Sequence, residues 1–160
     1  MPMKLETVNY SEIAFAGMHL VRKRVRCVGG QDHSRSVYRG PRLAAQVEGS
    51  SLLYKVWNPT YARRGNILDG LESGFYDRTT APALVALIFA GPVCRGYVME
   101  ECTKYGKVPR AFYERVKEKT AQTGRFHYDL TGCNIMRFGD RYSLIDLESV
   151  YPLSEAANLD

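Results

Sequence analysis

The sequence predicts an α+β fold on three observations. Short strand-like runs recur along the chain with Gly-centred turns between them. Two segments carry apolar residues at helical spacing. The order is strands with one helix among them, then a longer helix, then a closing hairpin. The 160 residues suffice for one domain with a real core.

Taken in chain order, residues 21–28 alternate basic and apolar positions, so a strand there sets Arg22, Arg24 and Arg26 on one face. With a net charge of +5, such a face is either plainly solvated or open to RNA, an acidic partner or a phosphorylated substrate. No recognised nucleic-acid motif accompanies it. Gly29 and Gly30 then mark a turn between two strand-like runs, where backbone N–H groups and the Ser34 hydroxyl are candidates to cradle phosphates. No G-x-G-x-x-G occurs. After a Gly49-Ser50 turn signal, residues 52–57 (Leu-Leu-Tyr-Lys-Val-Trp) read as a strand with a single lysine, Lys55, among apolar neighbours.

In residues 65–76, Ile67, Leu68, Leu71 and Phe75 form the stripe of an amphipathic helix, bordered by Glu72. Gly65, Gly70 and Gly74 weaken that helix by about 1 kcal/mol each. Residues 83–90 and 96–102 are apolar runs around Gly91-Pro92, a hairpin signal. Residues 109–123 predict a helix with Pro109 near its start and Gly124 just past its end. Residues 134–138 and 141–146 form a second hairpin turning at Gly139-Asp140. A hairpin brings its ends together, so Asn134 and Asp146 are expected at its open end.

The most informative segment precedes that hairpin. His127-Tyr128-Asp129-Leu130-Thr131-Gly132-Cys133-Asn134 reads H-x-D-x-x-x-x-N, and Leu144-Ile145-Asp146-Leu147-Glu148 follows. This order and spacing resemble the catalytic loop and metal-binding strand of the protein-kinase-like phosphotransferases. The resemblance implies a two-lobed kinase-like fold, with a mainly antiparallel sheet lobe over residues 1–101 and a minimal second lobe over 102–160. It implies ATP and Mg²⁺ as cofactors and phosphoryl transfer to a hydroxyl as the reaction. Asp129 would be the base, Asn134 and Asp146 the metal ligands, and Lys55 the phosphate clamp positioned by Glu72. The backbone of Glu100 and Cys102 would pair with an adenine edge, with Met99 at the back of the nucleotide pocket. Gly29, Gly30 and Ser34 stand where the glycine loop would be.

Departures from the usual kinase pattern narrow the branch. Tyr128 replaces the arginine that pairs with a phosphorylated activation loop, and few residues follow Asp146. Thr131 stands where Ser/Thr protein kinases carry a lysine. The D-L-T-x-x-N form is similar to RIO-type and other small atypical kinases, and Asp-Leu-Glu in place of D-F-G is similar to sugar, lipopolysaccharide and antibiotic kinases. Glu148 then either assists metal binding or begins a surface tail. The acceptor is a protein Ser/Thr, a sugar or another small molecule. The alternative reading is a nucleotide-binding pseudokinase or basic adaptor without catalysis. A second copy or a protein partner is expected to complete the short lobe.

Other classes are disfavoured. No run of 18 apolar residues predicts a membrane span, and the N-terminus lacks an apolar signal core, so a cytoplasmic protein is expected. Cys27, Cys94, Cys102 and Cys133 form no C-x-x-C pair, and with 3 histidines a zinc site is not expected.

Overall fold

The structure is a computed structural model that describes residues 3–41, 51–61, 63–104, 106–130 and 134–158. The Gly49-Ser50 turn signal and residues 131–133 of the H-x-D-x-x-x-x-N segment lie outside the described residues. The fold is α+β, with two α-helices and a mixed six-stranded sheet among the described residues. Two compact units make it up: Leu5–Arg64 with Leu84–Glu101, and Met1–Lys4 with Gly65–Ala83 and Cys102–Asp160.

The first unit is built on the sheet. Its strands are β1 (Glu6–Asn9), β2 (His19–Arg24), β5 (Arg35–Gly40), β6 (Leu52–Trp57), β7 (Leu84–Ala90) and β8 (Val93–Glu100), with a small hairpin of β3 (Cys27–Val28) and β4 (Gln31–Asp32) between β2 and β5. The order across the sheet is β1-β7-β8-β6-β5-β2. Among the described residues the β1–β7 pairing is parallel and the other pairings in this sheet are antiparallel. Strand β1 has no strong apolar pattern in sequence and gains its place by pairing with β7.

Period-2 alternation sorts β6. Leu52, Tyr54 and Val56 join Ala86, Ile88 and Val98 in the core, covered by Val8, Tyr10, Ile13, Phe15 and Met18 of the N-terminal segment. Full burial of one such Leu or Ile side chain is worth about 1.5–3 kcal/mol. Lys55 therefore points to the other face, between its cross-strand neighbours Val37 and Tyr97. Trp57 closes that strand, fully buried, with its indole N–H donating to the Cys94 carbonyl at 3.0 Å. At the far edge β2 is exposed along its length and carries Arg22, Lys23 and Arg24. Charge on an edge strand discourages pairing with another chain. Strand β2 ends at Arg24, so Arg26 leaves the basic face expected from the alternation.

The second unit holds α1 (Asn66–Glu72), α2 (Arg110–Thr123), β9 (Arg125–His127), β10 (Ile135–Phe138), β11 (Arg141–Leu144) and β12 (Val150–Pro152). The sequence reading groups residues 1–101 as one lobe, whereas α1 is a member of this second unit. The reason is local. Asp69 of α1 takes two hydrogen bonds from Arg125 of β9, and Gly70 lies so close to Tyr76 that a Cβ would sit 2.6 Å from its ring. Helix α1 is also shorter than the expected stripe: it stops at Glu72, Gly74 follows at φ 84°, and the fully buried Phe75 packs from beyond the helix. Helix α2 runs as expected, begins after Pro109, buries Phe112 and Val116, and ends on Gly124 at φ 68°.

Strand β9 pairs antiparallel with β12, and β10 with β11. Buried Thr80 fastens the second hairpin: its hydroxyl donates to the Phe75 carbonyl, and its own carbonyl accepts from Leu144 N–H at 2.8 Å. Asp77 nearby meets Lys119 of α2 at 2.5 Å. Burial pushes the Asp77 carboxyl up, but the hydrogen bonds from Lys119 and Thr79 outweigh it and hold the group below its ordinary value. Among the described residues no helix is long and apolar enough to cross a membrane.

Gly96 marks the tightest backbone approach in the sheet, opposite both Val56 and Ile88, where a Cβ would collide with the Lys55 carbonyl oxygen. Gly96→Ala is expected to destabilise the protein by at least about 1–3 kcal/mol in urea denaturation. Gly17→Ala, with open space around the added carbon, should be near neutral. Equal midpoints for the two variants would contradict this packing.

Candidate active site

Strand β9 delivers His127, and the sequence then leaves the strand to pass Tyr128 and Asp129. His127 is 4% exposed, and its ring nitrogens are both engaged. Nδ1 accepts the Asp129 backbone N–H at 3.3 Å, so the proton resides on Nε2, which donates to the carbonyls of Ile145 (2.9 Å) and Asp146 (3.2 Å). Burial pushes the imidazole below its ordinary pKa, against the opposing pull of the Ile145 carbonyl and the Asp146 carboxylate. One neutral ring thus ties the backbone of Asp129 to that of Asp146.

Asn134 makes the second tie. Its side-chain amide donates to the Asp129 carbonyl at 2.8 Å, and its backbone carbonyl accepts from Ile145 N–H at 2.9 Å. The register Ile135↔Leu144 places Asn134 and Ile145 at the open end of the β10–β11 hairpin, as the hairpin reading requires. The amide nitrogen of Asn134 is committed, so its carbonyl oxygen is the group left for a cation. Asp129 itself is exposed.

Asp146 is the one non-glycine residue at positive φ among the described residues, at 54°. That conformation costs about 1 kcal/mol or more for a residue with a Cβ, least for Asp and Asn. The hydrogen bonds from Ser149 N–H (2.9 Å) and His127 to the Asp146 carbonyl hold it there. Beyond it, Tyr76 is 1% exposed and donates its hydroxyl to the Leu147 carbonyl at 2.7 Å. Burial first, then the charges of Glu148 and Asp146, raise the phenol well above its ordinary pKa, so it stays a donor. Glu148 is fully buried, which overturns the surface-tail reading of that carboxylate.

The remaining expected residues lie as follows. Lys55 is half-buried on β6, its ammonium 5.9 Å from the Tyr97 ring centroid. Glu72 is exposed at the last position of α1; the acid of that helix with a fixed cation is Asp69, paired with Arg125. Gly29 (φ 57°) and Gly30 (φ 80°) form the two-residue turn of the β3–β4 hairpin. Ser34 turns its N–H (2.9 Å) and hydroxyl (3.3 Å) to the Asp32 carboxylate, so both donors are spent on a local turn. Glu100 ends β8, 7% exposed, and Cys102 opens the next segment, half-buried. Between them Glu101 is held below its ordinary pKa by hydrogen bonds from Arg39 and Ser51.

Sequence reasoning missed Thr80, Tyr76 and Asp32, none of which sits in a recognisable motif. Among the described residues no three His, Cys, Asp or Glu side chains converge on a metal site. One carboxylate and one amide oxygen remain a fitting set for an ion that arrives with a phosphorylated ligand, because Mg²⁺ keeps most of its ligands as water and phosphate.

His127 makes stability depend on pH. Its native pKa is lowered, so below about pH 6.5 the unfolded chain takes up a proton that the native ring refuses, and stability falls as pH falls. Replacement by glutamine removes that titration. The loss in thermal midpoint from about pH 7.5 to about pH 5.5 should be smaller in His127→Gln than in the parent. An equal loss would mean that the imidazole is not neutral and buried in the native state.

Neither a protein-family profile nor a curated protein matches this chain.

Proposed function

We propose that the protein is an ATP- and Mg²⁺-dependent phosphotransferase of kinase-like, two-lobed fold that transfers the γ-phosphoryl group to a hydroxyl. The observation that carries this reading is the His127 clamp. A single buried ring and the Asn134 amide tie Asp129, Asn134 and Asp146 together by direct hydrogen bonds. These are the polar residues whose spacing resembles the kinase catalytic segment, and they are adjacent although 17 positions separate the first from the last.

In this reading the acceptor hydroxyl donates a hydrogen bond to the exposed Asp129 carboxylate. As the acceptor oxygen bonds to the γ-phosphorus and the bond to the β-bridging oxygen breaks, the hydroxyl proton passes to Asp129 and ADP departs. Asn134 Oδ1 and the Asp146 carboxylate would hold Mg²⁺, which when bound would offset charge on the phosphate oxygens. Lys55 serves phosphate oxygens, and the kinase resemblance assigns it Glu72 as counterion. Phosphate contacts at the glycine turn fall to the Gly29 and Gly30 N–H groups, since the Ser34 donors face Asp32. The adenine edge is assigned to the backbone at Glu100 and Cys102. The substrate is a protein Ser/Thr, a sugar or another small hydroxyl compound.

Labelled ATP with Mg²⁺ and a panel of protein and sugar acceptors tests the reading. Asp146→Asn keeps the left-handed backbone tolerable and should remove Mg²⁺-dependent turnover with an unchanged thermal midpoint. Asp129→Asn should lower kcat by about 10²–10⁴-fold. Lys55→Ala should lose rate without losing the fold. Wild-type turnover in the Asp146 and Asp129 variants would exclude the assignment, and ATP binding without transfer in the parent would favour the adaptor reading.

Activity should not require prior phosphorylation. An activation loop works through new Arg–phosphate pairs, and Tyr128 occupies the arginine position with its ring edge-on to Tyr151 at 6.0 Å. Phosphatase-treated and untreated protein, checked by intact mass, should transfer phosphate at equal rates. A large loss after dephosphorylation would reveal a switch.

A further inference from the structure

The sheet unit contains a cavity of about 270 Å³ lined by Arg26, Val28, His33, Arg35, Tyr61 and Arg63. Three guanidinium groups come to it from separate stretches of chain: the link between β2 and β3, the start of β5, and the loop after β6. None of the described lining residues is acidic. Like charges gathered on one concave surface repel one another, so this arrangement favours an anion in the cavity.

The walls are held in place. Arg35 donates from Nη1 to the Tyr61 hydroxyl at 2.8 Å, and its guanidinium carbon lies 5.0 Å from that ring's centroid. Tyr61 is 6% exposed and packs on Trp57 with ring centroids 6.1 Å apart. His33 stands edge-on to Tyr61 at 6.3 Å, and its backbone N–H donates to the Arg26 carbonyl at 2.7 Å. At the end of the hairpin, Asp32 accepts from Ser34 and Asn58, and its carbonyl accepts from the Thr60 hydroxyl at 2.7 Å. The neighbouring carboxylate is therefore occupied by neutral donors.

We propose that this cavity binds a compact phosphorylated small molecule, a polyanion of about diphosphate size, through Arg26, Arg35 and Arg63. The planar guanidinium fork matches phosphate oxygens two at a time. The volume lies at the small end of small-molecule pockets, which suits a phosphate group with little attached to it. A nucleic-acid strand fits less well, because single-strand binding uses exposed aromatic faces and Tyr61 is buried. Lys55 does not line the cavity, so this site is additional to the phosphate contacts proposed for that lysine.

The test uses the full chain and calorimetric titration with pyrophosphate, inorganic phosphate and sulfate at matched ionic strength. Pyrophosphate should bind saturably and more tightly than phosphate or sulfate. The double variant Arg26→Ser with Arg63→Ser should weaken pyrophosphate by about tenfold or more, because each lost guanidinium removes charge-assisted hydrogen bonds. The double lysine variant keeps charge but loses the fork, and should fall between; it carries the test if the serine variant misfolds. Gly17→Ala, with open space around the added carbon, should bind pyrophosphate like the parent. Three results would each overturn the proposal: binding unchanged in both arginine variants, equal binding of sulfate and pyrophosphate, or binding that disappears with Lys55 instead. A short single-stranded RNA that outcompetes pyrophosphate and depends on Arg22 and Arg24 would also overturn it, in favour of the basic strand as a nucleic-acid surface. A phosphorylated sugar compared with pyrophosphate then separates phosphate monoesters from diphosphates as the source.

Discussion

Burial of His127 is the constraint on which the rest of the candidate site depends. A charged imidazole would face two carbonyl groups well, but it could not accept the Asp129 N–H, and burial makes its charge costly. The neutral ring accepts on one side and donates on the other, joining two segments that the chain separates by the whole β10–β11 hairpin. From this one tie follow the left-handed conformation of Asp146, the turn closed by Ser149, and the approach of Asn134 to the Asp129 carbonyl. Tyr76 adds its hydrogen bond to the Leu147 carbonyl, with the phenol kept protonated by burial and by the charges of Glu148 and Asp146.

The sheet unit solves a different problem. Its strands must bury one face while presenting Lys55 on the other, and β6 does this by alternation between the core cluster and the Val37–Lys55–Tyr97 row. Gly96 lets β8 come close enough for that row to form. Cationic side chains of this unit take several settings: those of the edge strand β2 remain solvated, Arg39 pairs with Glu101, Arg95 lies over the Tyr10 ring, and Arg26, Arg35 and Arg63 line one cavity. A net charge of +5 predicts anionic partners in general, whereas the cavity gives part of that charge a shape.

Much of this was legible in the sequence where punctuation was strong. Gly91-Pro92, Gly139-Asp140 and the Pro109–Gly124 frame mark their hairpins and helix because each supplies a backbone geometry that other residues disfavour. The neighbourhood of Asn134 and Asp146 followed from the second hairpin. Less legible were features set by distant partners. The end of α1 was misjudged because Phe75 completes an apolar stripe, yet Gly74 has already turned the chain out of the helix. Strand β1 depends on β7 and carries little pattern of its own. Ser34 reads as a phosphate donor until Asp32, two residues earlier, is seen to claim both of its donors. Glu148 reads either as an aid to metal binding or as the start of a surface tail, and its burial, set by tertiary packing, removes the second reading.

The central claim is that Asp129, Asn134 and Asp146 form one catalytic set. The most direct measurement is a crystal structure of the protein with Mg²⁺ and a non-hydrolysable ATP analogue. The account predicts a magnesium ion about 2.0–2.1 Å from an Asp146 carboxylate oxygen and from Asn134 Oδ1. It also predicts the Asp129 carboxylate within hydrogen-bonding reach of an acceptor oxygen in line with the γ-phosphate. A nucleotide bound away from residues 127–146, or an ion that touches neither Asn134 nor Asp146, would contradict it.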